Sequence, residues 1–296
     1  MTVLRRVVQR LVDARPMDPP PASMSRAHLD HHDVAYRLCA AGPEAPVALL
    51  ESGLGAPAVS WSHVQESLQR AGVTSIAHDR PGIGWTAPMP HHLPPSAHEH
   101  GRQVASLLNE LAPEARVWLV GHSVGALLMR FFAATHPRRV AGLVLVDPTD
   151  PDQMRSAGQR DATAAARHQV TGALARALVP GRTSGDGGND RAALSRAGGD
   201  PGTLLTTLAE MARWEAGWGA DARAAKLPDV PLLVVSASST RRDPLMAQMH
   251  DQMAALTPRG RSLVIEGEHM SLLLDPEVAT TTADAIADAV HADGTR

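Results

Sequence analysis

Gly121-His122-Ser123-Val124-Gly125 is the segment of this 296-residue chain whose residue types and spacing best suit a chemical task. The apolar run RVWLV leads into it and the helix-like segment ALLMRFFAATHP leads away, so Ser123 falls at a strand-to-helix turn. Glycines two residues to either side remove β-carbons where the two backbones must come close. A hydroxyl pushed beyond the end of a strand in this way becomes a nucleophile once a base takes its proton. Composition bounds other chemistries. Cys39 is the lone cysteine, which excludes an intramolecular disulfide and a cysteine-rich zinc site and favours a reducing compartment. Lys226 is the lone lysine, so a GK[ST] phosphate loop is absent and Schiff-base chemistry has one candidate. Two histidine-rich stretches, HLDHHD near residue 30 and HHLPPSAHEH from His91 to His100, contain metal-ligand types. The first straddles a turn and the second spans a proline-containing loop and a helix start, without His-Glu-x-x-His spacing. Both are expected to be solvated polar loops, and no metal is expected.

The elements that must position Ser123 follow from the hydrophobic pattern. Segments around Ala27 to Asp30 and Val34 to Ala40 form an opening hairpin with His31, His32 and Asp33 near its turn. Six short apolar runs follow: PVALLES, TSIAHD, ARVWLVGHS, VAGLVLVD, PLLVVSA and RSLVIEG. Helical segments such as HVQESLQRAG, HEHGRQVASLLNELAP and ALLMRFFAATHP separate most of them. The alternation predicts an α/β fold, a mostly parallel eight-stranded sheet with helices on both faces. From Pro148 to about Pro228 no strong strand appears, and the stretch is too long for a structureless loop. Helical patterns in ATAAARHQVTGALARAL and LLTTLAEMARWEAGW, joined through the glycine-rich GRTSGDGGND, mark it as a helical insertion over one end of the sheet. The predicted organisation is an N-terminal amphipathic helix and proline-rich linker over 1–25, a core from 26–147 and 228–296, and a cap over 148–227.

Further motifs stand in a fixed order: Glu51-Ser52-Gly53-Leu54-Gly55 after one strand, Asp79-Arg80-Pro81-Gly82-Ile83-Gly84-Trp85 after the next, the Ser123 turn, and Gly267-Glu268-His269 after the last. With them the chain resembles the α/β-hydrolase-fold enzymes over roughly Ala27 to Asp147 and Leu227 to Val290, the helical interval matching the family's variable cap. The resemblance implies that His269 is the catalytic base. It offers two acids: Asp147, at a strand end from which haloalkane dehalogenases and some other members supply it, and Asp243, after the following strand. Asp243 comes eight residues beyond Val235, later than the usual arrangement, so Asp147 is favoured. Either carboxylate would orient His269 and stabilise its imidazolium. The amide of Val124, after the nucleophile, is the first oxyanion donor. Leu54 is the second, because Ser52-Gly53-Leu54 stands where relatives carry a His-Gly-x turn. Glu51 and Ser52 depart from that sequence, a difference expected to bear on the substrate's surroundings.

Only 8 residues are aromatic, so the positions of the tryptophans carry information. Trp214 and Trp218 lie four apart in the insertion, with Met211 one turn before Trp214; Trp61 and Trp85 follow strands feeding the active-site end. All four are candidates for a pocket wall suited to an apolar acyl or alcohol group. The near-balance of 28 basic and 31 acidic residues gives no reason to expect nucleic acid. No apolar run reaches the length of a membrane span. The opening MTVLRRVVQRLVDARP reads as a basic amphipathic helix with Leu4, Val7, Val8, Leu11 and Val12 on one face, lying on its own domain, a second copy or a membrane surface. A cytoplasmic location is expected.

Together these features predict a serine hydrolase that cleaves a carboxylic ester, lactone or related acyl compound through an acyl-enzyme, without a cofactor. Serine where haloalkane dehalogenases use aspartate argues against carbon–halogen displacement. The rival readings are a non-hydrolytic acyltransferase or cyclase on the same triad, and a ligand-binding protein that does no chemistry.

Overall fold

The computed structural model describes residues 20–29, 32–88, 94–177 and 190–293. The expected N-terminal helix, the first part of its linker, most of GRTSGDGGND, and His31, His91 and His92 lie outside the described residues. The strands are β1 (Ser25–Leu29), β2 (His32–Cys39), β3 (Val47–Glu51), β4 (Thr74–His78), β5 (Val117–His122), β6 (Val140–Val146), β7 (Leu232–Ala237) and β8 (Gly260–Ile265). They form one eight-stranded sheet in the order β1-β2-β4-β3-β5-β6-β7-β8. The pairs β1–β2 and β2–β4 are antiparallel, and all the others are parallel. The helices are α1 (Ser62–Arg70), α2 (Ala97–Leu111), α3 (Gly125–Thr135), α4 (Ala157–Ala177), α5 (Asp190–Gly199), α6 (Pro201–Arg213), α7 (Gly219–Ala224), α8 (Pro244–Ala254), α9 (Ser271–Leu274) and α10 (Pro276–Asp293).

Strand periodicity builds two cores from one sheet. The parallel register lines up Ile76, Leu49, Leu119, Leu143 and Leu232 on one face. One residue further along, Ala77, Leu50, Val120, Val144 and Leu233 line the other. Successive side chains point to opposite faces, so a strand buried on both sides is written mostly in apolar residues; β4 (TSIAH) departs from this, burying Thr74, Ser75 and His78. Helices α2, α3 and α8 cover the first face with Val104, Leu107, Phe132 and Met253. Helices α1 and α10 cover the second; Ala279, Ala283, Ile286 and Val290 of α10 recur at helical spacing. The apolar run in β8 differs from the others. It pairs with β7 alone, and its Leu263 and Val264 are exposed because the strand lies at the edge of the sheet.

Local signals fix where the helices begin. The Oγ of Ser96 accepts the Glu99 amide at 3.2 Å while the Glu99 carboxylate accepts the Ser96 amide at 2.8 Å, so two otherwise orphaned donors at the start of α2 are satisfied. Asp200 accepts the Thr203 amide at 2.8 Å ahead of Pro201, starting α6. Helices α4 to α7 fill the interval between β6 and β7, with a π-helical turn at Trp214–Trp218 after α6.

Candidate active site

Strand order places the site. The chain runs from β3 outward to β4, then crosses back to β5 on the other side of β3, so the loops after β3 and β5 diverge and open a crevice beyond the strands' carboxyl ends. The loop after β3 carries Leu54 and the turn after β5 carries Ser123. Ser123 is held at φ 54°, a left-handed conformation rare for a residue with a β-carbon. Its two glycines permit the turn by close approach. A β-carbon on Gly121 would stand 2.7 Å from Cα of Ala126, and one on Gly125 would stand 2.6 Å from the carbonyl oxygen of Glu51.

Ser123, His269 and Asp147 share one cavity of about 420 Å³ with Leu54 and Val124. The Nδ1 of His269 lies 2.6 Å from Oδ2 of Asp147. The same carboxylate accepts the Thr240 hydroxyl at 2.7 Å and the Ala237 amide at 2.9 Å. Burial pushes the Asp147 carboxyl up, but the His269 bond and charge, with Thr240 and Ala237, outweigh it and hold the group below its ordinary value. Asp147 therefore stays ionised despite its burial. Asp243 is engaged elsewhere: it caps α8 through the Leu245 amide at 2.9 Å and accepts the Ser156 hydroxyl. Among the described residues, the Leu54 and Val124 amides have no intramolecular acceptor. His122 sits beside His269, its Nε2 3.2 Å from the His269 carbonyl and its ring centroid 4.5 Å from that of His269. Burial first, and the charge of His269 second, push its pKa down to about 3, so His122 is a neutral support.

The four tryptophans divide. Trp214 lines the cavity. Trp218, further round the wider π turn, donates Nε1 to the Pro95 carbonyl at 3.2 Å and packs in the core. Trp61 donates Nε1 to Ser52 Oγ at 3.1 Å, supporting the loop after β3 from behind, and Trp85 packs in the same buried cluster. Neither Trp61, Trp85 nor Trp218 is among the cavity-lining side chains. Proximity to strand ends in sequence does not distinguish packing beneath a loop from facing the cavity.

The histidine stretches also divide. His28 and Asp33 pair at 2.7 Å on the surface as expected of a solvated group, but as facing residues of β1 and β2 and not within a loop. His100 corrects the second expectation: α2 carries it into the interior, where Nε2 lies 2.8 Å from Oε2 of Glu51. His78 Nε2 lies 3.2 Å from the same oxygen, so Glu51, His78 and His100 form a buried group of metal-ligand types. The other carboxylate oxygen of Glu51 accepts Arg80 Nη1 at 2.6 Å, which already supplies a cation. Glu51 is correspondingly a support beneath the loop and not part of the cavity wall.

Sequence reasoning assigns no role to Arg80 or Glu210. Burial opposes the Arg80 charge, but Glu210 and Glu51 outweigh it and hold the guanidinium firmly protonated. The Asp79-Arg80 motif is the available signal; nothing in the cap sequence marks Glu210. A larger hollow of about 650 Å³ lies at the opposite, amino-terminal end of the strands against Trp118 and Leu232, and contains neither Ser123 nor His269.

An eight-stranded sheet with this order, a serine at a strained strand-to-helix turn and a facing His–Asp pair define the class. The chain belongs to the α/β-hydrolase-fold family, whose pattern it matches over residues 46–276. It is 35% identical over 122 residues to a Variovorax paradoxus (strain S110) protein bearing the name of a carbamate hydrolase, RutD, covering 41% of this chain and 45% of that one. It is 32% identical over 116 residues to epoxide hydrolase A of Mycobacterium tuberculosis, covering 39% of this chain and 36% of the relative. The matches thus span less than half of these curated relatives. Among solved structures, a carboxylesterase of the thaumarchaeon Nitrososphaera gargenis superposes with a TM-score of 0.66 at 15% identity, covering 91% of this chain and 100% of that one. No helix among this chain's described residues is long and apolar enough to cross a membrane.

Proposed function

We propose that this enzyme is a serine hydrolase acting on a small, electrically neutral ester or lactone. The observation that carries the reading is the 2.6 Å His269–Asp147 pair, sharing one cavity with Ser123 and with two amides free to receive an oxyanion. Asp147 holds Nδ1 of His269 as the donor, which leaves Nε2 to take the Ser123 proton. The Ser123 oxygen then attacks the carbonyl carbon, and negative charge on the carbonyl oxygen is received by the Leu54 and Val124 amides. Collapse expels the alcohol, protonated by His269, and a water activated by the same imidazole releases the acid.

The cavity favours substrates of this kind. Met211, Trp214, Met246 and Met270 supply apolar surface, and Gln153, Gln159 and Thr207 supply neutral hydrogen-bonding groups. Asp147 and His269 are the ionisable side chains of the lining besides His122, and all three are committed to the catalytic cluster. A charged substrate group would therefore lose hydration without gaining a partner.

Likeness to an epoxide hydrolase does not extend comfortably to its chemistry. Serine opening an epoxide would leave an alkyl ether, with no carbonyl for water to attack, so turnover would stop; an acyl-enzyme has that carbonyl. A fluorophosphonate should label the wild type and fail on Ser123→Ala, while the wild type hydrolyses members of a neutral ester and lactone panel. A wild type that neither labels nor turns over any of them refutes the reading.

A further inference from the structure

The oxyanion loop is gripped from behind by a buried charge cluster that reaches into the cap. Arg80 donates Nη1 to the Ser52 carbonyl and Nη2 to the Gly53 carbonyl, both at 2.7 Å. It meets Glu210 of α6 through both carboxylate oxygens, Nε to Oε1 at 2.6 Å and Nη2 to Oε2 at 2.9 Å. Glu210 Oε2 also accepts the Gly55 amide at 3.0 Å. The peptide groups on both sides of Leu54 are thus held by one ion pair, through the Gly53 carbonyl before it and the Gly55 amide after it.

Peptide planarity gives this grip a consequence. The Gly53 carbonyl and the Leu54 amide belong to the same trans peptide group, so they point in opposite directions. Fixing the carbonyl on Arg80 turns the Leu54 N–H the other way, towards the cavity. The cationic donor on the carbonyl also polarises that peptide, strengthening its N–H as a donor to a developing negative charge. We propose that Arg80 is the positioning residue for the Leu54 oxyanion donor, and that Glu210 makes this positioning depend on the seating of the cap. The proposal rests on the acyl-enzyme reading above.

The cap packing is close enough to transmit such a dependence. Gly55 has φ 63°, and a β-carbon there would fall 2.2 Å from Thr207 Oγ1, so α6 lies directly on the loop. Thr203 Oγ1, one turn before Thr207, accepts the Gly84 amide at 3.2 Å. Thr203, Thr207 and Glu210 form the face of α6 towards the core loops, while Thr207, Met211 and Trp214 contribute to the cavity wall. One of the helices that line the cavity is therefore the helix that holds Arg80.

The test compares wild type with Glu210→Gln, which keeps the side-chain volume, removes the charge, and confronts the Arg80 and Gly55 donors with an amide group. The expected result is a kcat loss of roughly 10- to 100-fold, somewhat less than deletion of a whole oxyanion donor. KM for a small neutral ester should stay within about threefold, as it does when only transition-state binding is lost. Affinity for a trifluoromethyl ketone that forms a tetrahedral adduct should fall in parallel with kcat/KM, whereas that of the product alcohol should hold. Glu210→Asp retains the charge but cannot span both partners, and should show the same split at intermediate size; it carries the test if Glu210→Gln does not fold. A folded variant with wild-type kcat, or a kcat loss with unchanged trifluoromethyl ketone affinity, overturns the proposal. Turnover that survives in Ser123→Ala would instead refute the acyl-enzyme reading, a separate outcome.

Discussion

Replacing Asp147 by asparagine tests the assignment of the acid at the level of individual protons. The carboxylate accepts three donors: the Ala237 amide on Oδ1, and the Thr240 hydroxyl and His269 Nδ1 on Oδ2. Asparagine has one acceptor oxygen and one donor group. The Ala237 amide cannot reverse its role, so the asparagine oxygen would face it and the side-chain NH₂ would face Thr240 and His269. Thr240 adapts by rotating its hydroxyl. His269 adapts by accepting at Nδ1, which places its proton on Nε2, the nitrogen that must be bare to deprotonate Ser123. The wrong tautomer is then stabilised by a good hydrogen bond. Loss of the correct tautomer in a serine triad costs up to about 10⁴-fold in kcat, so roughly 10³- to 10⁴-fold is expected, about 4 to 5.5 kcal/mol of transition-state stabilisation. Steady-state hydrolysis of an activated ester, with circular dichroism to confirm folding, measures it. Asp243→Asn should stay within about threefold, since an asparagine oxygen can still cap α8 and the side chain does not touch His269. A folded Asp147→Asn variant within about tenfold of wild type, or a larger loss in Asp243→Asn, refutes the reasoning.

Asp147 also carries a pH signature. Its folded pKa lies below the ordinary 3.8, so its stabilising contribution is complete above that value and is lost as pH falls through the lowered one. The melting-temperature gap between wild type and Asp147→Asn should therefore be widest near neutrality and narrow below pH 3.8; a gap that widens on acidification contradicts it. Trp214→Ala should raise KM for esters with bulky apolar groups more than for short acetates, because this side chain lines the cavity. Equal changes for both would place substrate elsewhere. Ser96→Ala removes the reciprocal cap of α2 and should lower unfolding free energy by about 1 kcal/mol in a urea titration, with kcat unchanged.

Sequence periodicity is sufficient for most of the sheet because β3, β5, β6 and β7 are buried on both faces and so are written as largely apolar runs. The Ser123 turn is legible for a related reason: two glycines must bracket it wherever strand and helix backbones come within contact. Loop length ranks Asp147 above Asp243, and the structure places Asp147 against His269. What stays hidden depends on partners distant in the chain. Arg80 and Glu210 are 130 residues apart and meet only because the cap folds over the loop after β3. His100 looks like part of a polar loop because its neighbours His91, His92 and His98 share its composition, while helical phase alone turns it inward. The tryptophans show the same limit, since Trp61 packs against the loop after β3 whereas Trp214 lines the cavity.

The central claim is that Ser123 becomes transiently acylated. Rapid mixing with an activated neutral ester, acid quench and intact-mass measurement tests it most directly. The account predicts a mass increase equal to the acyl group, mapped to the Ser123 peptide, prolonged in Asp147→Asn and absent in Ser123→Ala. Turnover of the ester with no such adduct at any quench time, and undiminished in Ser123→Ala, would contradict it.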